Sequence, residues 1–395
     1  MQSNQIKQLD KQNVMQTYAR FDVAIERGEG AKLYSPEGKK YIDFTSGIGV
    51  NSIGYANKTW ADAIYTQALK LQHMSNLYYS EPYVKLAEAL TRRTGMKNAF
   101  FSNSGAEANE GMIKLARKYS FDKYGKERST IITLNQSFHG RTITTLAATG
   151  QEVFHNYFFP FTEGFKHVPA HDIKTLEKEM TEDVCAVMIE LVQGEGGVIP
   201  LCPDYVKTLF EICASKDVLL LIDEVQTGVG RCGSLMAFMQ YDIKPDVITF
   251  AKGIAGGLPL GGILANEKCS GVLVPGTHAT TFGGNPIAAE AARVVLDILN
   301  DKMLDGILKM GDYIKEEITS WNLPVVGEIR GRGLMIGISI NGKAPRELAQ
   351  KCVDNGLLIL TAGADALRML PPLTITIDEI DNGLAILKKT LEKEQ

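Results

Sequence analysis

The chain has 395 residues, 45% of them hydrophobic and 22% charged, which is too long for one ordinary core and predicts a globular protein of two domains. Its formal net charge of −4 argues against nucleic acid or an anionic membrane as partner, and it has no apolar run of the roughly 18 residues needed to cross a bilayer. The polar start MQSNQIKQLDKQNVMQTYAR lacks the apolar centre of a secretory signal, and six scattered cysteines without a CxxC pair fit reduced thiols, so a cytoplasmic protein without a metal site is expected.

In chain order, residues 1–50 read as an amphipathic helix leading into short strands on either side of the SPEG turn. Ala61–Leu71 and Tyr83–Thr94 have helical periodicity. Short β-rich runs then alternate with helical ones. Asn98–Phe101 precedes a helix over Ala106–Tyr119, and Thr130–Leu134 precedes a Gly/Thr-rich loop. Val184–Ile189 precedes a helix over Tyr205–Ala214. Val218–Ile222 precedes a short helix near Leu235–Tyr241, and Val247–Phe250 leads into Lys252. Such alternation predicts an α/β fold, a mostly parallel sheet covered by helices. After Gly284 two long helices, Pro286–Asn300 and Met303–Trp321, are followed by strands VVGEIRGRG and LMIGISI, a helix near Ala344–Asn355, strands LLIL and LRML, and a last helix from Ile377. The expected division is a large domain, 51–285, and a smaller α+β domain, 1–50 with 286–395.

The stretch Val218–Gly262 carries two residues that invite a chemical reading. Lys252 follows the apolar run DVITFA and precedes glycines that let a bulky group approach. A lysine at an apolar strand end loses hydration, which lowers its pKa and favours the neutral nucleophile that forms a Schiff base with an aldehyde cofactor. A lone lysine of this kind would more simply snorkel to solvent. Asp223, however, ends VLLLID, where open α/β sheets bind ligands. A carboxylate there can hold a pyridinium nitrogen cationic, making the ring an electron sink; an N-cap role is the simpler alternative.

Other residues are ambiguous singly. Ser104-Gly105-Ala106-Glu107 is a capping box that would also suit a phosphate. Phe138 in SFHGRT could stack on a flat ring or simply pack, and Arg141 could clamp a carboxylate or lie in solvent. Gln226 could bond a ring oxygen. Thr280–Pro286 is a turn before a proline-started helix, or a further phosphate contact. Glu195 in QGEGG and Arg368 in ALRMLPP are unremarkable as isolated charges.

Taken together, SGAEAN, SFHGRT, LIDEVQTGVGR, FAKG and TFGGNP resemble the PLP-dependent class III (subgroup II) aminotransferases of fold type I, over essentially the whole chain. SNLYYSEP and FHGRT make the chain similar to the branch that acts on N2-acetylornithine. The segment GYANKTW departs from the His-Pro pair of many relatives. The resemblance implies that Lys252 binds PLP covalently and then shuttles a proton. Asp223 would hold the pyridinium, Gln226 the ring oxygen and Phe138 the ring face, while Ser104, Gly105 and Ala106 cradle the phosphate. Glu224 and Val225 complete the expected cofactor set. Thr281 would reach the phosphate of the other subunit of a homodimer. Arg141, with Thr280 nearby, would hold the donor carboxylate, and Arg368 the α-carboxylate of glutamate or 2-oxoglutarate. Glu195 would mask Arg368 while the ω-amine donor is bound. The implied reaction moves the δ-amine of N2-acetylornithine to 2-oxoglutarate. Ornithine, succinylornithine and 4-aminobutyrate are alternative donors, and an aminomutase is a more distant alternative. A non-catalytic binding protein is disfavoured, because mere binding needs no electron sink.

Overall fold

The computed structural model describes residues 1–394. Its central sheet has seven strands: β1 (Asn98–Ser102), β2 (Thr130–Leu134), β3 (Phe165–Val168), β4 (Val184–Ile189), β5 (Leu219–Asp223), β6 (Val247–Phe250) and β7 (Gly261–Ala265). Their spatial order is β1-β7-β6-β5-β4-β2-β3. Neighbours from β6 through β3 pair in parallel, and β7 is antiparallel to both β6 and β1. Two reversals leave β1 running with the rest, so the carboxyl ends of six strands gather on one edge.

Side-chain alternation explains why these runs are continuously apolar. Ile131, Ala186, Met188, Leu219 and Leu221 face one core, filled by Met112, Ile113, Leu115 and Ala116 of the helix Gly105–Tyr124. Ile132, Val187, Ile189, Leu220 and Ile222 face the other, with Val206 and Leu209 of the helix Pro203–Ser215. A strand buried on both faces needs apolar residues at every position.

The structure departs from the sequence reading at several points. Strands β3 and β7 were not expected. Gly261 opens β7 because a Cβ there would lie 2.5 Å from the Ser104 carbonyl oxygen, a clearance that outweighs glycine's poor strand propensity. The helix expected near Leu235–Tyr241 is a single 3-10 turn, Ala237–Gln240. Finally, Pro286–Ile298 was expected to open the small domain. It packs instead on Lys58–Lys70 and Glu81–Thr94, burying seven residues of its apolar face.

The N-terminal strands Arg27–Glu29, Lys32–Tyr34 and Lys40–Asp43 form a sheet closed by Leu357–Leu358, which pairs in parallel with Lys40–Asp43. A further antiparallel sheet joins Val326–Arg332, Met335–Ile340, Ala366–Met369 and Leu360–Ala362. Arg368 lies on this sheet and reaches the edge of a cavity through Gln226, which lines it.

Candidate active site

A cavity of about 450 Å³ opens at the carboxyl edge of the central sheet. Ser104, Gly105, Ala106, Phe138, Arg141, Asp223, Val225, Gln226 and Lys252 line it, bringing together residues spread over 149 positions. Each sits just past a strand end or helix start, where backbone direction changes and side chains are free to converge.

Asp223 is 4% exposed. Its Oδ2 accepts from Asn109 Nδ2 at 2.7 Å and from His139 Nδ1 at 2.9 Å. Its Oδ1 accepts from the Val225 N–H at 3.0 Å and Thr249 Oγ1 at 3.3 Å. Burial pushes the carboxyl up, but the His139 bond and charge, with the Val225 and Asn109 donors, hold it below the usual aspartate value. It therefore stays ionised, as a carboxylate must to stabilise a buried cation. His139 and Asn109 were not singled out in the sequence. His139 stood in plain view within SFHGRT, but nothing local shows that its ring turns inward to Asp223.

Lys252 begins a 3-10 turn, Lys252–Ala255, with φ of +44°, a left-handed conformation that strains a residue with a side chain. Its amine makes no hydrogen bond or ion pair among the described residues. Desolvation pushes its pKa below the ordinary 10.5, against the opposing pull of Glu195. An unpaired, desolvated lysine facing a cavity has the properties of a nucleophilic amine.

The residues present fit an anionic, flat aldehyde cofactor. The helix Gly105–Tyr124 points its N-terminus at the cavity, and the Gly105 and Ala106 N–H groups have no intrahelical acceptor. Ser104 Oγ is committed as the cap, accepting from Glu107 N at 3.2 Å. Gly105 is required where it stands, since a Cβ would fall 2.7 Å from Val225 Cγ1. Phe138 and Val225 supply apolar wall for a ring, and Asp223 and Lys252 supply the acid and the amine.

On the substrate side, Arg368 is 2% exposed and grips Glu195 with two nitrogens, Nη1 to Oε1 at 2.6 Å and Nη2 to Oε2 at 3.2 Å. Nη1 also donates to Gln226 Oε1 at 3.1 Å. The amide expected to face a ring oxygen is thus turned, in this state, to the Arg368–Glu195 pair. Although burial opposes it, Arg368 holds the Glu195 carboxyl below the usual glutamate value. Arg141 is exposed and has no acidic partner among the described residues; its guanidinium lies 4.0 Å over the Phe154 ring and 5.5 Å from that of Phe138.

One sequence expectation is corrected, that for Glu224. Glu224 does not face the cavity. Its carboxylate accepts from Thr227 Oγ1 and from the Ala237 and Phe238 N–H groups, because consecutive strand residues point to opposite faces. Thr281, expected to serve the other subunit, is exposed and lies outside this chain's own cavity. Thr280 makes no bond with Arg141 among the described residues; its hydroxyl accepts from Asn103 Nδ2 at the cavity rim, at 3.3 Å. Conversely, Glu190 lines the cavity and was not anticipated.

A strand-end carboxylate, an unpaired lysine and a helix N-terminus converging on one cavity define a PLP enzyme of fold type I. Within that class the chain belongs to the class-III aminotransferases, whose family pattern matches residues 14–391, and it is a PLP-dependent transaminase. It is 48% identical over 395 residues, all of both chains, to an acetylornithine aminotransferase of Haemophilus ducreyi. It is 45% identical to another from Caldanaerobacter subterraneus, covering 97% of this chain and 98% of that one. Among solved structures, an ornithine aminotransferase from Toxoplasma gondii superposes with a TM-score of 0.96 at 31% identity, covering 100% of this chain and 97% of that one. An N-acetylornithine aminotransferase from Stenotrophomonas maltophilia does so with a TM-score of 0.85 at 34% identity, covering 98% of each.

Proposed function

We propose that the chain transfers the δ-amino group of N2-acetyl-L-ornithine to 2-oxoglutarate, yielding N-acetyl-L-glutamate 5-semialdehyde and L-glutamate, a step of arginine biosynthesis. The observation that carries this reading is the contrast between the two arginines. Arg141 is open, while Arg368 is masked by Glu195. A donor with one carboxylate far from its reacting amine needs one open clamp. Acetylation also removes the α-ammonium that would otherwise lie beside the Arg141 guanidinium. The acetylornithine aminotransferases named above support the same donor.

PLP, when bound, supplies an aldehyde carbon that receives the amine and a ring that takes up electrons. Asp223 contributes a fixed negative charge at the end of β5. Lys252 Nζ takes the proton from donor Cδ in the first half-reaction, and in the second returns one to Cα of the nascent glutamate. Arg141 orients the donor through its carboxylate. Glu195 swings from Arg368 when the five-carbon dicarboxylate arrives.

The working form is read as a cytoplasmic homodimer with shared sites. Leu77 and Tyr79 are 88% and 98% exposed, and Phe282 stands beside the same segment, its ring tilted against that of His73 at 5.3 Å between centroids. Asn76 Nδ2 joins that segment to the Thr280 and Gly283 carbonyls. A second copy covering this apolar surface would bring Thr281 to the neighbouring cavity.

The test is a half-reaction screen. The PLP-loaded enzyme is mixed separately with N2-acetylornithine, ornithine, succinylornithine and 4-aminobutyrate, and loss of the bound-cofactor absorbance is timed. N2-acetylornithine is expected to react fastest. A faster rival replaces the donor assignment, and product formed without any oxo acid points to an aminomutase.

A further inference from the structure

Glu190 follows β4 directly and is 5% exposed, yet it opens onto the cavity. Its two oxygens serve different loops. Oε2 accepts from the Phe138 N–H at 2.9 Å, and Oε1 from the Gly194 N–H at 3.4 Å. Phe138 belongs to the wall that would face the cofactor ring. Gly194 precedes Glu195 and packs on Gln226, where a Cβ would fall 2.5 Å from Oε1. Only a carboxylate offers an acceptor at both terminal atoms; glutamine would turn an amide N–H on one of the two donors. An aliphatic residue would leave both N–H groups buried without a partner.

We infer that Glu190 is a positioning residue that ties the Phe138 wall to the Glu195 gate loop, so that cofactor plane and substrate gate keep a fixed register. This rests on the reading of Phe138 and Glu195 given above. The acid is costly to bury, which argues that the two bonds matter: burial pushes its carboxyl up to about 7, with Asp223 adding to the rise and His139 opposing it. Lys252 is the further charged group that feels it across the cavity.

The experiment uses purified holoenzyme carrying Glu190→Ala or Glu190→Gln. Visible circular dichroism of the bound PLP reports its asymmetric seating, and equilibrium dialysis gives PLP affinity. Glu190→Ala is expected to lower the dichroic amplitude at least about twofold and weaken PLP about tenfold or more, the scale of one lost hydrogen bond. Glu190→Gln should fall between it and wild type. Combined with Phe138→Leu, Glu190→Ala should add less to the loss than it does alone, since the two act through one wall. Wild-type dichroism and affinity in Glu190→Ala overturn the inference, as does full additivity with Phe138→Leu. Should Glu190→Ala fail to fold, Glu190→Gln carries the test, and a wild-type dichroism and affinity there overturns it. Neither readout uses a substrate, so a wrong donor assignment leaves both unchanged.

Discussion

Glu195→Gln probes the gate most directly. In the structure Arg368 is almost wholly buried and is bound by both Glu195 oxygens, with Gln226 as its third contact. Removing one partner of a buried ion pair costs about 3–5 kcal/mol in general. Glutamine keeps one hydrogen bond, and the Glu195 side chain is 28% exposed, so solvent screens part of the attraction. The energy released from the pair is then about 1.5–3 kcal/mol. In the wild type that energy opposes any carboxylate that must displace Glu195 from Arg368. Its loss should raise kcat/KM for the glutamate half-reaction by about 10–100-fold, at about 1.4 kcal/mol per factor of ten. The donor half-reaction should slow or stay constant, because an unmasked Arg368 competes with Arg141 for the donor carboxylate. Single-turnover absorbance of the PLP form, followed with each amino acid alone, reads both rates. Equal factors in the two half-reactions would refute the gate.

Asp223→Asn should cut single-turnover rates by about 100-fold or more, since an amide cannot hold a buried cation and sets N–H against the Asn109 and His139 donors; a rate within tenfold of wild type contradicts the role. The pKa of Lys252 lies below 10.5, so the fraction of neutral amine, and with it the rate of PLP capture by apoprotein, should rise with pH through a midpoint below that value. A midpoint at or above it counts against a desolvated amine, and Lys252→Ala retaining full turnover would remove it from the mechanism. Arg231 is buried, with burial pushing its pKa down to about 10, and its Nη1 donates to the Leu334 and Pro371 carbonyls at 3.0 and 2.6 Å. Arg231→Met should lower unfolding free energy in urea by about 2–5 kcal/mol. A loss under about 0.5 kcal/mol would show that those carbonyls find other partners.

Asp223 and Lys252 were legible because a polar residue at the end of a fully apolar strand has few structural explanations, and two of them in neighbouring strands have fewer. Glu224 misled because adjacency in sequence is not adjacency in a strand. The alternation that put Asp223 on the cavity puts Glu224 behind it, against the Ala237 and Phe238 N–H groups. His139, Asn109 and Glu190 became visible only when distant segments met, since their partners lie 84, 114 and 52 positions away. Strand β7 was hidden for a different reason. Two of its five residues are glycines kept for clearance, so the segment reads as a loop. The helix Pro286–Ile298 was assigned by its place in the chain, whereas its buried alanines show that it was shaped to lie close on Lys58–Lys70 and Glu81–Thr94.

Three acids in or beside the cavity show how one sheet edge assigns different charges to the same functional group. Burial penalises all three. Asp223 recovers through an imidazole and Glu195 through a guanidinium, and both carboxyls end below their usual values. Glu190 has two backbone N–H groups and no dedicated cation, and its carboxyl ends near 7. Glu224, behind the sheet, accepts from three neutral donors and still rises to about 6. Neutral donors therefore offset only part of the desolvation, and it is a partner able to carry positive charge that keeps an acid ionised here. The division follows the chemistry required at each place. Asp223, at the strand end, is bonded to His139, and Glu195 is paired with the Arg368 guanidinium. The acid that only aligns two loops needs no cation at all.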